Sequence, residues 1–212
     1  MHIVEGYLPI WQCLFWFILS GIVVVYGFYQ LMKFIRENPN YKSVFTLSAL
    51  LMLVMSFLKF PSVTGSCTHP TGNGLSGAII GPPITAVFAT IILLFESLIL
   101  GYGGITTIGA NIFSWGIFGP LIAFLIYKGL SKFGVPNIVI VMLATFFANF
   151  ATYFMTSLQL AFAFPGSGIF ATFIKIFAIF FVTVLPLVFV DCTVSAVVWV
   201  IIYSLNSDSF EV

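Results

Sequence analysis

The sequence predicts an all-α integral membrane protein with about seven transmembrane helices. Of its 212 residues, 61% are hydrophobic and only 6% are charged, whereas a soluble domain carries about 25% charged residues. Apolar runs recur along the chain, and several reach the roughly 20 residues that a helix needs to cross a bilayer. No long polar linker separates these runs, so residues 1–212 are predicted to form a single membrane domain.

The composition also argues against several functions. A net charge of +1 gives no basic surface for nucleic acid. The signatures HExxH, GxSxG and GxxxxGK[ST] are missing, so we expect no catalytic residues, no enzymatic activity and no nucleotide site. The three cysteines are an odd number and lie far apart in the chain, which makes a disulfide framework unlikely; they are Cys13, Cys67 and Cys192.

The first two predicted spans set the orientation. Basic residues cluster between the spans Trp11–Leu31 and Val44–Phe60, and an excess of lysine and arginine marks a cytoplasmic loop. The N-terminus is then expected outside. It has no basic leader region and no small-residue cleavage site, so Met1 is expected to remain on the mature chain.

Residues 61–74 form the most polar internal stretch, and their glycines and prolines predict irregular backbone. At membrane depth such backbone is tolerated where protein buries it or where it lines a wet cavity. We predict that this loop lies at the outer face.

The remaining apolar runs give the helix count. We expect a short segment ending near Ile80 and an outer loop at residues 159–168. Full spans are expected at Ile84–Leu100, Asn111–Lys128 and Pro136–Leu158. The run Ile169–Leu205 is too long for one span at about 1.5 Å per residue, and Pro186 could divide it. Seven crossings are predicted, with eight as the alternative.

The two histidines suggest a metal site. The amine of Met1, the amide nitrogen of His2 and the His2 ring nitrogen Nδ1 can close two chelate rings around one ion, and His69 can fill the remaining place. Four nitrogens in a plane suit Ni(II) or Cu(II). The alternatives are that His2 lies on a frayed end and that His69 is an ordinary loop residue near the headgroups.

Other polar residues near these histidines are candidates for supporting roles. Cys67 is a possible soft ligand or an outer-shell group, and Glu5 can balance the charge of a metal. Outer-shell groups also hold ligating imidazoles in one tautomer, and the candidates for this role are Thr64, Ser66, Thr68 and Asn111.

Charged residues inside the apolar runs are functional candidates by default. For Lys59 and Glu96 the simpler expectation is that they extend to the interface from helix ends. Asp191 is the least easily explained in this way.

Several segments resemble one family, the substrate-binding (S) components of cobalt energy-coupling-factor transporters, CbiM. The resemblance is carried by residues 1–9 (MHIVEGYLP), 61–72 (PSVTGSCTHPTG), 109–114 (GANIFS) and 156–165 (TSLQLAFAFP). It implies a six-helix core with an extra N-terminal helix that places Met1 in a metal site. The implied ligands are the Met1 amine, the amide and side chain of His2, and His69.

The resemblance further implies that the chain captures Co(II) at the outer face of the cell membrane. Its expected partners are a transmembrane coupling component, a small accessory membrane subunit and cytoplasmic ATPase subunits. Nickel is the alternative substrate, because planar nitrogen ligation and the affinity order both favour it over cobalt. A self-sufficient metal channel or carrier is a further alternative, and it would need polar groups that continue through the bilayer.

Overall fold

The computed structural model describes residues 2–38, 41–61 and 66–205, apart from the side chains of Pro61 and Ser66. Within these ranges the chain forms seven helices and three short strands. The helices are α1 (Ile10–Glu37), α2 (Lys42–Phe57), α3 (Asn73–Ile80), α4 (Pro82–Ile99), α5 (Ile108–Ser131), α6 (Asn137–Ala163) and α7 (Ile169–Leu205). The strands are β1 (His2–Ile3), β2 (Phe60–Pro61) and β3 (Ser66–Thr68). The all-α membrane fold with about seven helices is therefore confirmed.

Five of these helices, α1 and α4 to α7, are long and apolar enough to cross a membrane. Helix α2 is a shorter apolar helix, and α3 is the short segment expected before Gly81. Helix α5 contains a π-helical stretch, Ile112–Phe118, which no sequence pattern indicated.

Helix α7 is a single helix of 37 residues that continues through Pro186. The division of this run that Pro186 could have caused is therefore not observed. Lipid offers no hydrogen bonds to a broken backbone, so continuing the helix leaves fewer polar groups unpaired than interrupting it. The expected outer loop at residues 159–168 is also too long, since α6 extends to Ala163 and buries Gln159.

Helix α3 lies in the centre of the bundle, and glycine allows its close packing. A β-carbon added to Gly74 would lie 2.3 Å from Cα of Thr145, and one added to Gly77 would lie 2.5 Å from Cα of Pro120. Small residues let helix backbones approach in this way inside membranes. The backbones of α3, α5 and α6 are therefore in direct contact at these positions.

The three strands form a small antiparallel sheet in the order β1-β3-β2. His2 pairs with Cys67, and Phe60 pairs with Thr68. The side chain of His2 contacts Glu96 near the end of α4, whereas the start of α4 packs on Gly27 of α1. Helices α1 and α4 therefore run antiparallel, and the sheet lies at the end of the bundle remote from the basic end of α1.

Candidate metal site

The structure brings the two histidines together. The rings of His2 and His69 stack with centroids 5.0 Å apart and planes inclined by 21°. Both residues are fully buried. The indole of Trp115 closes the site, with its ring 5.8 Å from that of His2 and 6.0 Å from that of His69. Residues that are 67 positions apart in the chain thus form one compact pair of imidazoles.

The first strand of the chain holds His2 in place. The side chain of Asn111 accepts from the amide of Ile3 at 2.8 Å and donates to its carbonyl at 3.1 Å. Thr107 also donates to that carbonyl, at 2.7 Å. Together with the pairing of His2 and Cys67 across β1 and β3, these bonds fix the register of the strand. Asn111, predicted to hold the imidazoles, thus bonds to the backbone next to His2 rather than to either ring.

His69 is held in one tautomer. Its Nδ1 lies 2.7 Å from the carbonyl oxygen of Pro70, and only an Nδ1–H can donate to a carbonyl. The Nε2 atom then carries a bare lone pair, and it is buried with no hydrogen-bond partner among the described residues. The hydroxyl of Tyr153 accepts from the amide of His69 at 3.0 Å and donates to its carbonyl at 2.8 Å.

A buried carboxylate anchors the segment that follows His69. Oδ2 of Asp191 accepts from the amides of Thr71 and Gly72, both at 2.9 Å, and from the side-chain amide of Asn149 at 2.8 Å. The indole of Trp115 donates to the carbonyl of Thr71 at 2.8 Å. Asp191, singled out by the sequence, therefore connects α7 to the backbone beside the candidate site.

The expectation that the Glu96 side chain extends to the membrane interface is wrong. Its side chain is completely buried, with Oε2 2.9 Å from Nε2 of His2 and Oε1 3.1 Å from Nζ of Lys59. The contact with Nε2 favours the His2 tautomer that carries a proton there and leaves Nδ1 bare. The ammonium of Lys59 also lies 3.6 Å from the ring centroid of Tyr102. Burial lowers the pKa of Lys59, and the charge of Glu96 opposes this shift.

Sequence reasoning missed the roles of Glu96, Lys59, Trp115 and Tyr153. The signal for Glu96 was present, since a carboxylate within an apolar helix is costly to bury without a partner. Nothing in the sequence pointed to Trp115 or Tyr153, because aromatic residues are ordinary in apolar runs.

Cys67 faces the other nitrogen of His2. Its Sγ lies 3.7 Å from Nδ1. Burial by itself would raise the pKa of the Cys67 thiol, but the contact with His2 and the charge of Lys59 outweigh it and lower the pKa to about 6.

The described residues among the other predicted supporting groups bond to backbone atoms rather than to the two imidazoles. Thr68 is buried and donates to the carbonyl of Phe60 at 3.3 Å. The exposed carboxylate of Glu5 accepts from the amide of Thr106 at 3.1 Å, and the bonds with Thr106 lower its pKa. Met1 and Thr64 lie outside the described residues, as does the side chain of Ser66.

Within the part of the chain that is described, no three His, Cys, Asp or Glu side chains form a ready metal-binding group. The ligand set predicted from the sequence is not a group of three such side chains. Only two of its four nitrogens belong to side chains, and the other two are the Met1 amine and the His2 amide. The structure brings together the two imidazoles of that predicted set, those of His2 and His69.

The apolar helices with a buried polar site at one end define a polytopic membrane protein. Its fold matches the crystal structure of a truncated transition metal transporter with a TM-score of 0.81 at 20% identity, covering 98% of this chain and 99% of that one. A second transition metal transporter structure matches with a TM-score of 0.82 at 18% identity, covering 99% of this chain and 95% of that chain.

Residues 2–209 match the CbiM family, described as the cobalt uptake substrate-specific transmembrane region. A putative cobalt transport protein CbiM of Methanococcus voltae is 47% identical over 212 residues, covering 100% of this chain and 95% of the relative. A putative cobalt transport protein CbiM of Methanocaldococcus jannaschii is 50% identical over 165 residues, which cover 78% of this chain and 71% of the relative. The chain therefore belongs to the CbiM family. The resemblance inferred from the motifs is confirmed, and the protein is a membrane transport component rather than an enzyme.

Proposed function

We propose that this chain is the substrate-binding subunit of an ATP-driven energy-coupling-factor importer, and that it captures Co(II) at the outer face of the cell membrane. The proposed ligands are the Met1 amine, the amide nitrogen and Nδ1 of His2, and Nε2 of His69. The observation that carries the proposal is the buried, stacked pair of imidazoles, in which Nε2 of His69 has no hydrogen-bond partner within the described part of the chain.

The electrostatics of the site favour a cation. Glu96 is a buried anion beside His2, and the Nε2–H of His2 facing it raises the basicity of Nδ1, as outer-shell carboxylates do for ligating histidines. The ligands must lose protons to bind, so metal binding weakens in acid. Nickel stays the alternative substrate, since planar nitrogen ligation favours it.

Capture fits the packing better than a channel does. Buried polar groups do continue below His69, at Thr71, Asn73, Asn149 and Asp191, but they bond to one another and to backbone. The glycine contacts of α3 close the same region. We therefore assign translocation to partners: a transmembrane coupling component, a small accessory membrane subunit and cytoplasmic ATPase subunits. In this arrangement the N-terminus lies outside, and the basic ends of α1 and α5 lie in the cytoplasm.

Isothermal titration of the purified chain with Co(II), Ni(II) and Zn(II) tests the proposal. We expect one Co(II) per chain, and no cobalt uptake by liposomes that contain this chain alone. A chain that binds no cobalt, or one that transports it unaided, would contradict the proposed role.

Glu96→Gln is expected to lower cobalt affinity by about 10- to 100-fold, the range for loss of an outer-shell partner. Gln keeps the shape of Glu96 but removes the charge that faces His2 and leaves Lys59 buried without its anion. The measurement is the same titration, with Glu37→Gln as the matched control. Glu37 pairs with Lys33 on the exposed surface at the other end of α1. Equal cobalt affinity for the two variants would show that Glu96 does not support metal binding.

A further inference from the structure

We propose that Lys59 limits the affinity of the site for the captured ion, because its ammonium is a fixed positive charge that keeps the bound metal exchangeable. The inference rests on the proposed function and deepens it, since it concerns how the same site can both capture an ion and give it up. Lys59 acts through Glu96, so it is a positioning residue rather than a metal ligand.

Lys59 differs from the other basic residues in its burial. The side chain of Lys59 is only 12% exposed, whereas the six other basic residues are all exposed: Lys33, Arg36, Lys42, Lys128, Lys132 and Lys175. Removing an ammonium from water is costly unless an anion compensates it. The chain thus keeps one costly cation close to the place where a second cation is to bind.

A single carboxylate connects Lys59 to the candidate metal site. Oε1 of Glu96 lies 3.1 Å from Nζ of Lys59, and Oε2 of the same carboxylate lies 2.9 Å from Nε2 of His2. Glu96 is completely buried, so solvent ions screen these charges far less than they screen exposed ones. The one negative charge of Glu96 is therefore shared, and a cation bound at His2 gains only part of its attraction.

The ammonium is held from a second side by Tyr102. Its Nζ lies 3.6 Å from the ring centroid of Tyr102, a position in which the aromatic face attracts a cation. The loop that carries Tyr102 is itself fixed to the first strand. The carbonyl of Gly103 accepts from the amide of Glu5 at 3.2 Å, and a β-carbon added to Gly103 would lie 3.2 Å from Cβ of His2. The charge of Lys59 thus has a defined position relative to His2.

The two charges have opposite effects on a bound cation. Without the charge of Lys59, Glu96 is a buried anion with no lysine to compensate it, and such an anion favours any cation that binds beside it. Without the charge of Glu96, the ammonium of Lys59 only repels the ion. Cobalt affinity should therefore follow the summed charge of the two residues. Since affinity is tuned mostly through the dissociation rate, Lys59 would speed the release of the ion to the partners of this chain.

The test is cobalt titration of Lys59→Met, with Lys33→Met as the matched control. Lys33 also pairs with a glutamate, Glu37, at 3.9 Å, but on the exposed surface. Lys59→Met should bind Co(II) at least about tenfold more tightly than the wild-type chain, the order expected for one unit charge close to a buried divalent ion. It should also release Co(II) more slowly into excess chelator, whereas Lys33→Met should behave like the wild-type chain.

Two further variants separate charge from shape. Lys59→Arg keeps the positive charge, so it should bind cobalt like the wild-type chain and not more tightly. The double variant Lys59→Met/Glu96→Gln removes both charges, and its affinity should lie between those of the two single variants. Because the double variant leaves no buried charge unpaired, it should fold even if Lys59→Met does not.

The sign of the effect distinguishes a charge from a structural role, because damage to the fold can only weaken binding. The role of Lys59 would be overturned, with the capture role intact, if Lys59→Met bound cobalt no more tightly than the wild-type chain. The same conclusion would follow if Lys59→Arg tightened binding, or if the double variant bound no more tightly than Glu96→Gln. A wild-type chain that binds no cobalt would instead contradict the proposed function itself, and this inference with it.

Discussion

Adding one residue in front of Met1 is expected to abolish cobalt binding. In the proposed site the terminal amine and the His2 amide close one chelate ring, and an extra residue moves the free amine away from the ion. The chain cannot slide to compensate, because Ile3 is bonded through both backbone groups to Asn111 and β1 is paired with β3. A slip by one residue would also exchange the two faces of the strand. The loss should exceed the roughly 100-fold upper limit for an outer-shell change.

The measurement is cobalt titration of the extended chain, together with its thermal unfolding temperature. The control carries the same added residue after Val212, remote in sequence from the proposed ligands. We expect normal binding by the control and an unchanged unfolding temperature in the metal-free N-terminal variant. If the N-terminal variant bound cobalt with wild-type affinity, the Met1 amine would not be a ligand.

The helices were predictable because the signal that specifies them is local. Runs such as Trp11–Leu31 satisfy the length requirement of the bilayer by themselves, and α1 spans that run. The three strands gave no such signal. Strands of two or three residues are too short to show alternation, and only the spatial meeting of residues 2–3, 60–61 and 66–68 defines them.

The charged residues inside the membrane show where sequence reasoning ends. Glu96 and Asp191 look alike as isolated carboxylates in apolar runs. What distinguishes their roles is the set of neighbours: His2 and Lys59 for Glu96, and the backbone of Thr71 and Gly72 for Asp191. These partners come from distant segments, so helix packing decides the role of each carboxylate. Both residues could be marked as functional candidates from the sequence, but only the fold shows what each one does.

His69→Ala is expected to reduce cobalt affinity strongly while leaving some binding. It removes one of the two imidazoles, and the three nitrogens at the start of the chain still form a chelate. Cobalt affinity should fall by more than the roughly 10- to 100-fold loss that is typical of outer-shell changes. The backbone position should survive, because Tyr153 and Asp191 hold the segment through the backbone of residues 69, 71 and 72.

Tyr153→Phe provides the comparison. It keeps the imidazole of His69 but removes both hydrogen bonds to the His69 backbone, so its effect on affinity should be smaller and should come with a lower unfolding temperature. His69→Ala should instead lower the affinity with little change in the unfolding temperature of the metal-free chain. The two variants thus separate ligation from positioning. If Tyr153→Phe weakened binding as much as His69→Ala did, position rather than the Nε2 lone pair would be the property that matters at residue 69.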